Sequence, residues 1–250
     1  MHWPYPLGFA HRLGGALAPE NTLAGLLLAH RLGVSGVECD VQLSADGKAV
    51  IIHDHQLERT TTGSGDVAAQ PLAALQRLDA GRHHHLAFAG EGVPSLTELA
   101  ARCRKLGMAV NLELKPAADA ANMAQRCVAE IVSLWQGAVL LPLLSSFDVE
   151  ALAAARQHAP QLPRALLLEK LDGHSVAQAQ ALDCRAIHVH YRALDEATVQ
   201  ALHQAGLAVM AWTVNQLDDM QRLRHWGVDM LCTDRPDRLD SSWLPGRHGA

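Results

Sequence analysis

Strand-like runs that alternate with helical ones, a length of 250 residues, and polar side chains gathered where the strands end predict an α/β fold, the closed (β/α)8 TIM barrel. Parallel neighbours follow from the alternation, because each intervening helix carries the chain back across the sheet. Nine strand-like runs are present. One is the return arm of a hairpin and runs antiparallel, which leaves the eight a closed barrel needs. An open doubly wound sheet is the competing architecture, but no G-x-G-x-x-G follows the first strand.

Residues 7–11 read as a short buried strand, followed by a loop with Gly14-Gly15. Pro19-Glu20-Asn21-Thr22 predicts a helix opening that runs to about residue 32, since proline and an acid suit the first turn. Gly33 and Gly36 bracket its end. Residues 37–43 form the second strand, Asp46-Gly47 the pair of a two-residue hairpin turn, and 49–53 the return arm. Counting outward from that turn sets Asp40 opposite His53, and opposed residues share a face. Glu38 lies two residues from Asp40 and shares it too. The hairpin is thus expected to unite two carboxylates and an imidazole. The alternative is an exposed edge decorated with polar residues.

Residues 55–94 break the alternation and read as an irregular insertion with a weak helical piece near 71–78. It carries His83-His84-His85. A metal site is one reading and a solvent-facing loop the other, since successive residues do not converge easily on one ion. After Pro94 the order is helix 95–106, strand 109–115, helix 119–136, strand 138–145, helix 148–157 and strand 164–169. Helix 174–183, strand 186–190, helix 195–205, strand 208–214, helix 216–226 and strand 229–233 follow, with a short tail helix from about Pro236. The whole is read as a single barrel domain, 1–250, with its insertion at about 55–94.

Bulk properties narrow the function. Apolar residues make up 49% and charged residues 19%, enough for a large core and too apolar for a disordered chain. The net charge of −5 and the scattered Lys and Arg argue against a nucleic-acid surface, so local cations must attract any anionic substrate. Five widely spaced cysteines without a C-x-x-C fit free thiols in a reducing compartment. No leader pattern and no apolar span of about 18 residues is seen, so no membrane partner and a cytoplasmic location are expected.

Barrel active sites lie at the C-terminal ends of the strands. The first strand ends in His11-Arg12, the second carries Glu38 and Asp40, and the strand at 109–115 places Asn111, Glu113 and Lys115 on one face. Further round stand Ser145-Ser146-Phe147, His188, His190 and Trp212-Thr213-Val214-Asn215. Polar filling of the barrel mouth remains open for the two histidines, and a core role for Trp212. Three carboxylates without a cysteine ligand suit Mg²⁺ or Ca²⁺ rather than Zn²⁺. Arginine offers a fork and lysine a point charge to a phosphate, and two histidines can serve as acid and base. Phosphodiester cleavage needs each of these: a deprotonated nucleophile, a protonated leaving oxygen and neutralised charge at phosphorus.

His11-Arg12 with Pro19-Glu20-Asn21-Thr22, the E-x-D at 38–40, His53-Asp54, Glu113-Leu114-Lys115, Ser145-Ser146-Phe147 and Thr213-Val214-Asn215 resemble the glycerophosphodiester phosphodiesterases over nearly the whole chain. The resemblance implies a (β/α)8 barrel with a small insertion and hydrolysis of glycerophosphodiesters, such as glycerophosphocholine or glycerophosphoethanolamine, to sn-glycerol 3-phosphate and an alcohol. It implies Glu38, Asp40 and Glu113 as ligands of a divalent cation, His11 and His53 as the acid–base pair, and Arg12 and Lys115 on the phosphate. Phe147 and Trp212 are further candidates for substrate contact. Two departures stand out. Leu13 follows Arg12 where the family usually has glycine, and Arg82-His83-His84-His85 stands where relatives often have aromatics. A phospholipase-like or sphingomyelinase-D-like relative and a catalytically dead binding barrel are the alternatives. The missing leader argues against the first and the intact His11 and His53 against the second.

Overall fold

The computed structural model describes residues 3–239; Met1, His2 and residues 240–250 lie outside the described residues, and the tail helix expected from about Pro236 is there a single 3-10 turn, Pro236–Arg238. The strands are β1 (Gly8–Ala10), β2 (Gly36–Leu43), β3 (Ala49–Ile51), β4 (Ala109–Leu114), β5 (Leu143–Ser146), β6 (Arg164–Leu168), β7 (Ala186–His190), β8 (Ala208–Trp212) and β9 (Met230–Thr233). All neighbours are parallel except β3, which runs antiparallel to the upper half of β2. The sheet order is β1-β9-β8-β7-β6-β5-β4-β2-β3, and a β1–β2 pairing closes it. Eight parallel strands form the barrel, as the alternation predicts. Among the described residues no helix is long and apolar enough to cross a membrane.

Strand parity divides the core into two layers. Outward-facing Val37, Cys39 and Val41 join the helices in a large apolar shell. The narrow lower interior holds Phe9, Leu143, Met230 and the alanines 109, 165, 186 and 208. Four alanines leave room for the Phe9 ring, and the Tyr5 ring packs in the same cluster. A Cβ on Gly36 would meet the Gly8 carbonyl at 2.7 Å and Phe9 at 3.1 Å, so this layer accepts no larger residue there. The helices α1 (Leu23–Arg31), α2 (Leu72–Leu75), α3 (Leu96–Leu106), α4 (Ala120–Leu134), α5 (Val149–His158), α6 (Ser175–Ala181), α7 (Glu196–Gln204) and α8 (Leu217–His225) complete the chain, α2 being a single turn within the insertion. Local chemistry sets their ends. Ser95 and Glu98 make a capping box on α3, and Gly107 closes it in the left-handed conformation.

The hairpin register differs from the expected one by a residue. Val41 faces Ile51 and Leu43 faces Ala49, so Asp40 stands opposite Ile52, whose N–H donates to the Asp40 carbonyl at 3.0 Å. The turn holds three residues, with Gly47 at φ +67° in the left-handed position that such loops require. A one-residue slip should send His53 to the other face. It does not, because the chain bends after Ile52. The buried Gln42 amide gathers the carbonyls of Ile52, His53 and Asp54 at 3.0, 3.0 and 2.8 Å. Two further boundaries move. α1 starts at Leu23, not Pro19, because Asn21 takes a left-handed φ of 55° and Thr22 is the N-cap. β5 starts at Leu143, not 138, because Pro142 cannot donate to a ladder.

The insertion seats on β3 through its own apolar cluster, including Val50, Ile52, Leu57, Val67, Leu75 and Val93. All five cysteines are free and buried; burial pushes the Cys103 thiol up to about 12.

At the opposite, N-terminal end of the barrel the Arg164 guanidinium is buried. It donates to the carbonyls of Leu162 (2.7 Å), Asp183 (3.2 Å) and Leu182 (3.3 Å) and to the Asp183 carboxylate (3.0 Å). These loop carbonyls have no ladder, so the charge is spread over acceptors that would otherwise lack partners. Arg164→Met leaves buried loop carbonyls without a donor and should cost about 1–3 kcal/mol in urea denaturation. Arg185→Met removes a neighbour that is 61% exposed and 3.9 Å from Asp183, and should shift stability by less than about 0.5 kcal/mol.

Candidate active site

A cavity of about 230 Å³ opens at the C-terminal ends of the strands, lined by His11, Arg12, Glu38, His53, Glu113, Lys115, Phe147 and Trp212. Asp40 joins them from the wall: ligand oxygens of Glu38, Asp40 and Glu113 lie within 4.8 Å of one another. The structure thus brings together all nine candidate residues, contributed by β1, β2, β4, β5, β8 and the bend after β3.

Three buried carboxylates at this spacing repel one another. Burial and then the Asp40 charge push the Glu38 carboxyl up to about 8, and the same causes raise Glu113. Asp40 moves the other way. Burial opposes its charge, but Lys115, His53 and Arg12 outweigh it, with a 2.8 Å bond from Asn21, and hold it below the usual carboxylate range. The Lys115 ammonium lies 2.8 Å from Glu113 and 3.4 Å from Asp40. Three carboxylates with ligand oxygens this close, and no nitrogen or sulfur donor among them, fit a hard divalent cation. Cys232 lies near His11 and Glu38, but burial holds its thiol protonated and makes it a poor ligand.

Each histidine is held at Nδ1 by a carboxylate. His11 Nδ1 lies 2.6 Å from Asp234, and His53 Nδ1 lies 2.6 Å from Asp54. Both rings therefore leave Nε2 for chemistry. His11 Nε2 is 3.9 Å from Glu38. Burial lowers the affinity of His11 for its proton, yet the Asp234 bond and the Glu38 charge raise it net above the ordinary value. For His53 burial prevails and the value falls.

Asp234 escapes the strand-end reading, although it follows β9 directly and the same rule would have found it. Asn215 orients it, donating to its Oδ2 at 2.9 Å and accepting from its backbone N–H at 2.9 Å. Arg59, on the insertion, carries no signal in the sequence. It donates to Asp54 at 2.5 and 2.9 Å and to Glu20 at 2.7 and 2.8 Å, and Glu20 accepts from Arg12 at 2.9 Å. A chain of charge-assisted bonds thus runs from His53 to Arg12 through the insertion.

The turn after β1 wraps around Glu38. Arg12 N–H donates to its carboxylate at 2.9 Å and Leu13 N–H to its carbonyl at 2.8 Å. Arg12 and Leu13 adopt φ of 49° and 73°, which explains a preference for glycine at position 13. Leucine costs roughly 1–2 kcal/mol there. Its fully buried side chain, worth about 1.5–3 kcal/mol, offsets this.

Phe147 and His190 meet Trp212 edge to face, at 5.7 and 5.3 Å between ring centroids, and make an aromatic wall at the mouth. His188 lies below it on the floor. His83 and His84 line a smaller hollow with Glu20 and Arg59, and His84 stands edge-on to Phe88. Among the described residues no metal-spaced cluster includes the histidine triplet.

Residues 11–238 match the model of the glycerophosphoryl diester phosphodiesterase family. A glycerophosphodiester phosphodiesterase of Caldanaerobacter subterraneus is 31% identical, covering 93% of this chain and 96% of its own. One from Bacillus subtilis is also 31% identical, covering 92% and 84%. Among solved structures, an Oleispira antarctica phosphodiesterase in complex with the product sn-glycerol-3-phosphate superposes with a TM-score of 0.89 at 35% identity, over 95% of this chain and 96% of the other. A glycerophosphodiester phosphodiesterase of Agrobacterium tumefaciens gives 0.78 at 30% identity, over 93% and 98%. With its barrel, its acidic mouth and a family match that spans almost all of its length, the chain belongs to the glycerophosphoryl diester phosphodiesterase family.

Proposed function

We propose that this protein hydrolyses glycerophosphodiesters, such as glycerophosphocholine or glycerophosphoethanolamine, to sn-glycerol 3-phosphate and an alcohol. Glu38, Asp40 and Glu113 hold a divalent cation, Mg²⁺ or Ca²⁺. Arg12 and Lys115 bind the phosphate, His11 and His53 move the protons, and Phe147 and Trp212 flank the substrate. One observation carries the reading: three strand-end carboxylates, two carboxylate-held histidines and two cations share one cavity. When bound, the cation neutralises charge on the phosphate and makes a nearby hydroxyl more acidic.

The substrate supplies its own nucleophile, the glycerol C2 hydroxyl beside the phosphate. One histidine takes its proton through Nε2 as the new O–P bond forms. The other gives its proton to the departing alcohol oxygen as the old O–P bond breaks. Water then opens the cyclic glycerol phosphate with the histidines exchanging roles. Asp234 and Asp54 keep each ring oriented and stabilise it while it carries the extra proton. Intramolecular attack gains from proximity, with effective molarities up to about 10⁵–10⁸ M in favourable cases.

Chelation should abolish glycerophosphocholine hydrolysis and lower the melting temperature, because the cation relieves repulsion present only in the folded state. Mg²⁺ or Ca²⁺ should restore both; full activity in excess chelator would rule the cation out. His53→Ala should lose about 10²–10⁴-fold in rate and melt near wild type. His83→Ala should stay within about three-fold, and equal losses in the two variants would remove His53 from the mechanism. A substrate lacking the C2 hydroxyl should bind yet turn over almost not at all. Turnover within a few-fold of normal would replace the cyclic route by direct attack of water.

A further inference from the structure

Below the charged rim the cavity floor holds polar atoms with no protein partner. His188 is fully buried, and neither ring nitrogen makes a hydrogen bond. Asn111 is 1% exposed; its amide N donates to Ser145 Oγ at 3.0 Å, and its Oδ1 has no partner. The Trp212 indole N–H is likewise buried and unpartnered. These three residues, on β4, β7 and β8, line the same cavity as the catalytic candidates, between apolar Leu167, Met210 and Cys232. Buried polar groups in native proteins are almost always hydrogen-bonded, so unpaired groups converging on one cavity mark where a ligand bonds.

The donor and acceptor inventory restricts that ligand. Burial pushes the His188 value down to about 3, so the ring is neutral, with one donor and one acceptor nitrogen. The indole adds a donor and Asn111 Oδ1 an acceptor. A phosphate or carboxylate only accepts and would leave the acceptors unmet. An ammonium only donates and would leave the donors unmet. A hydroxyl does both. Glu38, the ladder partner of Asn111, borders the floor but is assigned to the cation, and Arg12 and Lys115 stand at the rim where a phosphate would sit. The group reaching down from that phosphate is therefore an uncharged alcohol.

We propose that His188 and Asn111 on the floor, with the Trp212 indole N–H in the wall above them, form a hydroxyl-recognition site that binds the terminal sn-C1 hydroxyl of the glycerol half, at the end away from the phosphate-bearing C3, and so selects glycerol over simpler diols. This rests on the glycerophosphodiester reading and adds a specificity site to it. The C2 hydroxyl is already engaged at the reacting centre and C3 carries the phosphate, which leaves the C1 hydroxyl for the floor.

The test compares glycerophosphocholine with its sn-1-deoxy analogue, the 1-phosphocholine ester of propane-1,2-diol, on the Mg²⁺-loaded enzyme. The analogue keeps the C2 hydroxyl and hence the chemistry. Wild type should favour the glycerol substrate by about 10- to 100-fold in kcat/KM, because the analogue leaves buried polar groups unpaired. His188→Phe should collapse that ratio to about 1–3, and His188→Gln, which can still donate and accept, should keep part of it. If the phenylalanine variant does not fold, Asn111→Leu makes the same measurement. A wild type that treats both substrates alike, or folded variants with undiminished discrimination, would overturn the proposal and leave the floor to bound water. If wild type hydrolyses neither substrate, the functional reading fails separately. Calorimetry with glycerol 3-phosphate and propane-1,2-diol 1-phosphate then judges the floor, and equal Kd values overturn it.

Discussion

The mouth of this barrel is built around an electrostatic conflict. Ligand oxygens of Glu38, Asp40 and Glu113 are brought within 4.8 Å of one another in the largely buried wall of the cavity. No packing argument favours that arrangement, and neighbouring groups exist to contain it. Lys115 sits against two of the three carboxylates, Asn21 pins Asp40, and the backbone after β1 turns back to donate to Glu38. Even the left-handed backbone at Arg12 and Leu13 follows from the need to aim amides at Glu38. Such concentrated charge persists in native structures where a ligand uses it.

Much of this is legible in the chain. The barrel follows from alternation and length, and the acidic cluster from the rule that barrel chemistry sits at strand ends. Both depend on periodicities that span many residues, so single errors cancel. The hairpin shows the opposite case. Asp46-Gly47 suits a two-residue turn, yet Gly47 takes the left-handed place in a three-residue one, and a single residue of slip undoes the face count. His53 still reaches the cavity because Gln42 curls the chain after β3. No local pattern announces that, since one side chain bonding three distant carbonyls is a tertiary event. Asp234 was within reach of the strand-end rule. Arg59 was not, because its meaning depends on where an irregular segment folds back.

The two ends of the barrel divide their tasks. The N-terminal end is closed by Phe9, the small alanines and Arg164, whose bonds all go to backbone and one exposed aspartate. The C-terminal end holds groups that are individually unfavourable, including buried like charges and unpaired polar atoms on the floor. Stability accumulated below tolerates strain above, the usual division of this fold between scaffold and site.

Arg59 gives that division a kinetic side. It belongs to the insertion, an irregular segment with a small apolar cluster of its own, and its guanidinium is half exposed. Yet it ties Asp54, and through it His53, to Glu20 and through that to Arg12. Segments of this kind open more often than the barrel they cover. Each opening releases a clasp rather than merely uncovering a groove, so the proton-handling and phosphate-binding groups lose register together. The working fraction of the molecules is then set by the least stable segment, and heat should silence the enzyme several degrees before the barrel itself comes apart.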